Sequence, residues 1–343
     1  MQENQSKRVN IAQGLKGWLG TDTNLLRLMV MTCTIFIVMC LATRGRFLSL
    51  PNFQAIGLLF PELAILSLAM MLAMFTGGID LSVVAIANLS GLVAALIMTR
   101  LLPADTATVW VGWTLAGGVV AALVTGVICG AINGMLIARF HISAILATLG
   151  TMQLFTGLAL VITGGQAITG FPDPFLFAGN GEWWGVPIPF LLFAILAGVL
   201  WVIVSRTPFG LQTQLTGSNS LAALFSGIRV PWILFRVYLT TGILASLTGL
   251  LMIARTNSAK ADYGSSYLLQ AILVAVLGGV SPTGGIGSVG GVVTAVIALQ
   301  MLASGFNMLH FSNFSRDFFW GLFLLLIMVI NHYANRRGGG RNG

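Results

Sequence analysis

Long apolar runs recur along the chain, separated by short polar or glycine-rich breaks. They fall near residues 24–43, 54–75, 82–101, 108–135, 142–163, 185–204, 237–254, 267–280, 288–305 and 316–333. A hydrocarbon layer of about 30 Å needs roughly 20 apolar residues in a helix, so the pattern predicts about ten transmembrane helices. The eighth run is too short to span alone and meets Gly278, Gly279, Pro282, Gly284 and Gly285, which predicts a half-helix. Membrane β-strands would alternate apolar and polar residues, whereas Leu191 to Val204 and Leu322 to Ile330 are almost unbroken apolar stretches. The expected fold class is therefore an all-α polytopic membrane protein, with no soluble domain.

Composition supports that pattern. Of 343 residues, 57% are hydrophobic and 8% charged, with a mean hydropathy of +0.93. Soluble domains carry about a quarter of their residues as charges, so lipid must cover this surface. The net charge of +8 does not point to nucleic acid, because the basic residues stand singly between apolar runs and serve to orient the chain. With a cytoplasmic N-terminal segment (1–23), one transmembrane domain (24–333) and a cytoplasmic tail (334–343), eleven of the seventeen Lys and Arg lie inside. The other six, Arg44, Arg46, Arg100, Arg255, Lys260 and Arg316, lie outside. The segment from Gly164 to Trp184 has two acids and no Lys or Arg, which makes it external, with Trp183 and Trp184 at headgroup level. The first apolar run begins too far from the N-terminus for a cleaved signal peptide and reads as a permanent span. Cys33, Cys40 and Cys129 lie within apolar runs and suggest neither a disulfide nor a metal site.

The longest polar connection, Ser205 to Arg236, falls on the cytoplasmic side. Ser218 or Asn219 is placed to cap a short helix through Phe225 beside the membrane, an element that a partner protein can push or pull. The usual chemical signatures are missing. No Gly-Lys dipeptide exists to build a GxxxxGK[ST] phosphate loop, His141, His310 and His332 form no HExxH, and no serine sits in GxSxG. No span carries a row of arginines for voltage sensing.

Few charges enter the apolar runs. Glu62 stands near the outer end of the second span, and Asp80 in the glycine-rich break after it. A carboxylate at membrane depth costs about 2.5–3.5 kcal/mol, so Asp80 is either a proton or cation site or a cap on the helix starting near Leu81. Asn88, Gln153 and Gln270 are among the uncharged polar residues that line a path for a hydroxyl-rich solute or else bond helix to helix. Gly126, Gly130 and Gly134, like Gly287 and Gly291, have the spacing of close helix packing. Thr76 to Ile79 recurs as Thr283 to Ile286, and paired interruptions point to a transporter midplane.

Four blocks carry a family resemblance. Thr76 to Val83 resembles G-G-I-D-L-S-V-G, with Val84 in place of the last glycine; Asn133-Gly134 through Ala147 to Gly150 resembles N-G-x-L…F-[IV]-A-T-L-G, with Ala144-Ile145-Leu146 in place of the common Phe-containing version. Thr207 to Ile228, with Gly210, Gly217, Asn219, Ala222, Ala223 and Gly227, resembles a cytoplasmic T-x-x-G-R…G-x-N-x-x-A-A…G-I loop, and Ala271 to Gly291 an A-I…V-L-G-G-x-S…G-G-x-G-S block. From about residue 24 to 333 the chain resembles the permease subunits of ribose-type bacterial sugar ABC importers, a group that includes the autoinducer-2 and rhamnose permeases. Leu211 and Leu268 depart from a usual Arg and Glu, and the second departure is closer to the autoinducer-2 and rhamnose branches.

The resemblance implies a permease in the bacterial inner membrane with no catalytic site and no cofactor of its own. ATP and Mg would be used by separate ABC ATPase subunits, coupled through the loop 205–236 and its Thr207, Gly210, Gly217, Asn219, Ala222, Ala223 and Gly227. A periplasmic substrate-binding protein would deliver the solute, docking near Arg44, Arg46, Arg255 and Lys260. Asp80, Asn88, Gln153 and Gln270 are the pathway candidates. A second copy, or a related permease, would complete the pathway. The competing reading is a self-sufficient ion-coupled transporter using Asp80 or Glu62.

Overall fold

A computed structural model describes residues 23–100, 108–312, 315–316, 318–325 and 329. The N-terminal segment, the tail 334–343 and much of the run at 316–333 lie outside them. The helices are α1 (Thr23–Ala42), α2 (Leu50–Phe75), α3 (Val83–Arg100), α4 (Thr108–Ala138), α5 (Ala144–Thr163), α6 (Asp173–Asn180), α7 (Ile188–Arg206), α8 (Pro208–Ser218), α9 (Ser220–Phe225), α10 (Val230–Thr256), α11 (Ser265–Leu277) and α12 (Val289–Met308). Eight of these are long and apolar enough to cross a membrane, and α11 is shorter, as a half-helix should be. The protein is an all-α polytopic membrane protein.

Helix α2 is the axis of the fold, with every residue from Phe60 to Phe75 buried. Helices α7, α10, α11 and α12 pack around it, α3 and α4 pack on α10, α5 on α3, and α1 on α12. A helix apolar on all sides belongs in such a position. By contrast α4, α5 and α7 are largely uncovered, with Trp113, Val161 and Ile195 exposed. Soluble monomers rarely expose apolar faces this large, and in a bilayer acyl chains or a partner cover them.

The expected glycine packing is present. A Cβ at Gly126 or Gly130 of α4 would stand 2.5 Å from the Gly242 or Tyr238 carbonyl oxygen of α10, so only glycine permits this approach. Gly291 lies against Gly278, packing the end of α11 on the start of α12.

Helix boundaries differ from the sequence reading, most of all at the start of α10. Helix α10 begins at Val230, seven residues before the expected start, because Pro231 in its first turn supplies a favourable helix entry ahead of Arg236. The polar connection is correspondingly shorter and holds two helices, α8 and α9. Asn219 caps α9, its Oδ1 accepting from the Ala222 N–H at 3.0 Å.

At the end of the bundle opposite α8 and α9, a small β pairing covers the helix ends. Strand β1 (Ile168–Thr169) pairs antiparallel with β4 (Ser258–Ala259), and β2 (Glu182–Trp183) with β3 (Val186–Pro187). Asn180 donates to the carbonyls of Ala254 and Arg255 at 3.0 and 3.2 Å, satisfying acceptors at the end of α10. Trp183 and Trp184 project outward, 67% and 94% exposed.

Candidate translocation and coupling sites

The break between α2 and α3 is a buried polar knot. Asp80 is fully buried; its Oδ1 accepts from the Ser82 N–H at 3.1 Å and the Ser82 hydroxyl at 2.7 Å, and its Oδ2 accepts from the Thr241 hydroxyl of α10 at 2.7 Å. Asn133 of α4 donates to Ser82 at 2.7 Å and accepts from Thr151 of α5 at 2.6 Å. Thr148 accepts from the Leu81 N–H at 3.1 Å and contacts the Ile79 carbonyl at 3.1 Å. The knot ties three helices, α4, α5 and α10, to one broken segment. Asp80 does meet a free N–H ahead of α3, as a capping role requires, but through a turn to Ser82 rather than inside the helix, which starts at Val83.

The two Thr-Gly-Gly-Ile repeats touch. The Gly285 N–H donates to the Phe75 carbonyl at 3.0 Å, and a Cβ at Gly77 would stand 3.1 Å from the Thr283 carbonyl oxygen. Gly77, Gly284 and Gly285 all have positive φ, which glycine adopts without penalty. Against this pair of breaks sits the end of α8: a Cβ at Gly217 would overlap the Phe75 carbonyl. Gly210 likewise lies on the Val204 backbone at the end of α7. Thr207 bonds the Ile203 carbonyl at 2.6 Å, Ala223 is buried, and Ala222 and Gly227 are exposed. Leu221, Leu224 and Phe225 turn outward from α9, Phe225 at 88% exposure. Helices α8 and α9 thus present an apolar outer surface while α8 rests backbone-to-backbone on the breaks.

Glu62 lies near the midpoint of the 26-residue α2, deeper than the sequence suggested, because α2 starts at Leu50. It is 1% exposed and forms a two-pronged ion pair with Arg255 of α10, Arg255 Nη2 standing 3.1 Å from Oε2, while the Tyr267 hydroxyl of α11 donates to Oε2 at 3.0 Å. Such fork-to-fork pairing fixes geometry as well as charge. Arg255 therefore ties α10 to α2 and is only partly turned outward. Arg44 and Arg46 are exposed beyond α1, and Lys260 pairs with Asp262 at 3.3 Å.

The pathway candidates separate. Asp80 is locked in the knot. Asn88 is spent on the carbonyls of Ala261 and Tyr263, both at 2.9 Å, holding the β4–α11 loop to α3. Gln153 is exposed on the open side of α5. Gln270 lines a polar cleft of about 390 Å³ between α2, α11 and α12, with Tyr267, Gln300, Asn307, Arg316 and Trp320. Gln300 was one apolar-run amide among several in the sequence, and only the helix packing singles it out. A wider groove, about 1160 Å³, lies beside α8 and is walled mainly by aliphatic residues of α1, α7 and α12. No group of three or more His, Cys, Asp or Glu able to hold a metal is found among the described residues.

Residues 52–330 match the family described as the branched-chain amino acid transport system / permease component. The chain belongs to this permease family. It is 36% identical to the ribose import permease protein RbsC of Bacillus subtilis, over 78% of this chain and 80% of that one. It is 29% identical to the L-arabinose transport system permease protein AraH of Escherichia coli, over 90% of each. It is 32% identical to the autoinducer 2 import system permease protein LsrD of Klebsiella pneumoniae, over 78% and 79%. No solved structure matches. The chain is a multi-pass transport component, not an enzyme.

Proposed function

We propose that the chain is the inner-membrane permease subunit of an ATP-driven importer for a sugar or sugar-like solute. The observation that carries this is the match to ribose and L-arabinose permeases along most of their length, together with the family match over residues 52–330. The family description names branched-chain amino acids, but the relatives favour sugars, and so does the polar chemistry of the fold. An amino acid zwitterion needs charged partners, whereas the buried Glu62 and Asp80 are engaged by protein groups.

Separate ATPase subunits bind against α8 and α9 and use the ATP and Mg; this chain binds neither. Their closing motion passes through Thr207, Gly210, Gly217, Asn219, Ala222, Ala223 and Gly227 to the breaks at Gly77 and Gly285. A periplasmic binding protein delivers the solute at the opposite face, where Arg44, Arg46, Arg255 and Lys260 are the docking candidates. A second permease, identical or related, completes the pathway.

Extraction of the tagged chain in mild detergent, followed by mass spectrometry of what co-purifies, tests the division of labour. The expected companion is an ATPase with a GxxxxGK[ST] loop. A chain that purifies alone and still moves ribose into vesicles without ATP overturns the proposal in favour of ion coupling.

A further inference from the structure

We propose that the polar cleft between α2, α11 and α12 is a binding site for the travelling solute, and that it takes a neutral, polyhydroxylated molecule of about monosaccharide size. This deepens the importer reading and rests on it.

The cleft holds polar groups that the fold leaves unused. Gln300, on α12, is 8% exposed, yet its amide bonds no described residue, and neither does that of Gln270 on α11. Both face the cavity. An amide that opens only onto this cleft must find its hydrogen bonds there, since in a membrane interior neighbouring acyl chains cannot supply them. Water or a solute must therefore occupy the space. Each amide offers donors and an acceptor together, the pairing that adjacent hydroxyls present in return.

The remaining walls narrow the class. Trp320, 3% exposed, gives an aromatic wall against which the C–H face of a sugar ring packs. Among the described residues that line the cleft there is no carboxylate, so a cation finds no counter-charge from them; Glu62, behind Tyr267, is already committed to Arg255. Arg316 stands at the rim and donates to Asn307 Oδ1 at 2.7 Å. The volume of about 390 Å³ lies in the range of small-molecule sites, roughly 300–1,000 Å³. Asn307 is in the last turn of α12, while Gln300 is near that helix's middle. Polar groups therefore lead inward from the bundle end opposite α8, the end at which solute is loaded.

A purely structural role for these amides makes a different forecast: replacing Gln300 with leucine would remove an unpartnered polar group and leave transport intact. The permease with its co-purified ATPase and binding protein, in vesicles, is assayed with radiolabelled D-ribose and L-arabinose. Gln300→Leu and Gln270→Leu should each lower the maximum uptake rate about tenfold, the equivalent of losing one good hydrogen-bonded contact. The concentration for half-maximal uptake should hold, because the binding protein sets it, and Gln300→Asn should keep part of the rate. Uptake within twofold of the unaltered complex in both leucine variants overturns the cleft and leaves the importer reading standing. An unaltered complex that hydrolyses ATP and imports neither sugar overturns the importer's solute class itself.

A second readout is independent of turnover. In a chain with Cys33, Cys40 and Cys129 replaced by serine, Gln300→Cys should react from the outer side with a membrane-impermeant thiol reagent. The transported sugar should slow the reaction. Failure to react in the resting, binding-protein-bound and ATP-bound states rejects a water-filled site.

Discussion

Helix α2 meets two different kinds of neighbour along its length. At Phe75 it ends on backbone: the Gly285 N–H bonds its carbonyl, and Gly217 of α8 lies too close for any side chain. Toward its other half it meets side chains, with Glu62 clasped by Arg255 and Tyr267 and a cleft beyond Leu59 in which two amides have no partner among the described residues. Backbone seated on backbone has few ways to yield, so displacement of α8 reaches the breaks with little loss. A side-chain-lined cleft can exchange one set of hydrogen bonds for another at small cost. The coupling end is built to transmit and the other end to accommodate.

The largest effect is expected where the contact is closest. Gly217→Leu should reduce uptake to background while the ATPase subunits continue to hydrolyse ATP, because the side chain must displace α8 from Phe75. Gly198→Leu, at a position with open space around it, should leave both activities unchanged. Uptake and hydrolysis measured on the same vesicles check this. Coupled uptake by the Gly217 variant would break the contrast between the two ends.

The other end should respond in stability. Glu62→Gln removes one member of a buried pair and leaves Arg255 short of a counter-charge, at a cost of about 3–5 kcal/mol. Thermal unfolding in detergent should show a fall of several degrees. The double variant Glu62→Gln with Arg255→Met, which removes both charges, should recover most of the loss. A double variant as unstable as the single one would mean that the pair is not what holds α10 to α2.

Much of this was legible in the sequence. Apolar run length gives the spans, and Gly126, Gly130 and Gly134 announced a close helix contact by their spacing alone. A cap at Ser218 or Asn219 was visible as well, and the structure gives the role to Asn219. Contacts between distant segments were not. The meeting of Thr76–Ile79 with Thr283–Ile286 depends on how α2 and α11 end, and local periodicity carries no such information. Gln270 and Gln300 resemble Asn88 as polar residues in apolar runs, yet Asn88 is satisfied by a loop 173 residues away and the other two are not. Leu268 is closer to the autoinducer-2 and rhamnose branches, and over the whole match ribose permeases, at 36% and 32%, and LsrD, at 32%, stand together. A single position weighs little against the whole chain.

Asp80 sharpens the comparison most finely, since it is a carboxylate at the transmitting end with nothing left to accommodate. Its two oxygens take three donors, from the Ser82 N–H, the Ser82 hydroxyl and the Thr241 hydroxyl. In Asp80→Asn one of those oxygens becomes an NH₂ group. If that group faces Thr241 it opposes a donor, and the hydroxyl must turn wholly to the Tyr238 carbonyl that it already contacts at 2.9 Å. Loss of a hydrogen bond to a charged group costs about 1.5–3 kcal/mol, less than the ion pair, so the variant should still fold and reach the membrane. An ion-coupled transporter would lose its response to a proton or sodium gradient on this substitution. An ATP-driven permease should show partly reduced uptake that still requires ATP and is indifferent to a protonophore in both forms of the chain. Uptake in ATP-loaded vesicles, with and without the protonophore, separates these outcomes, and collapse of unaltered uptake by the protonophore at constant ATP would return Asp80 to the mechanism.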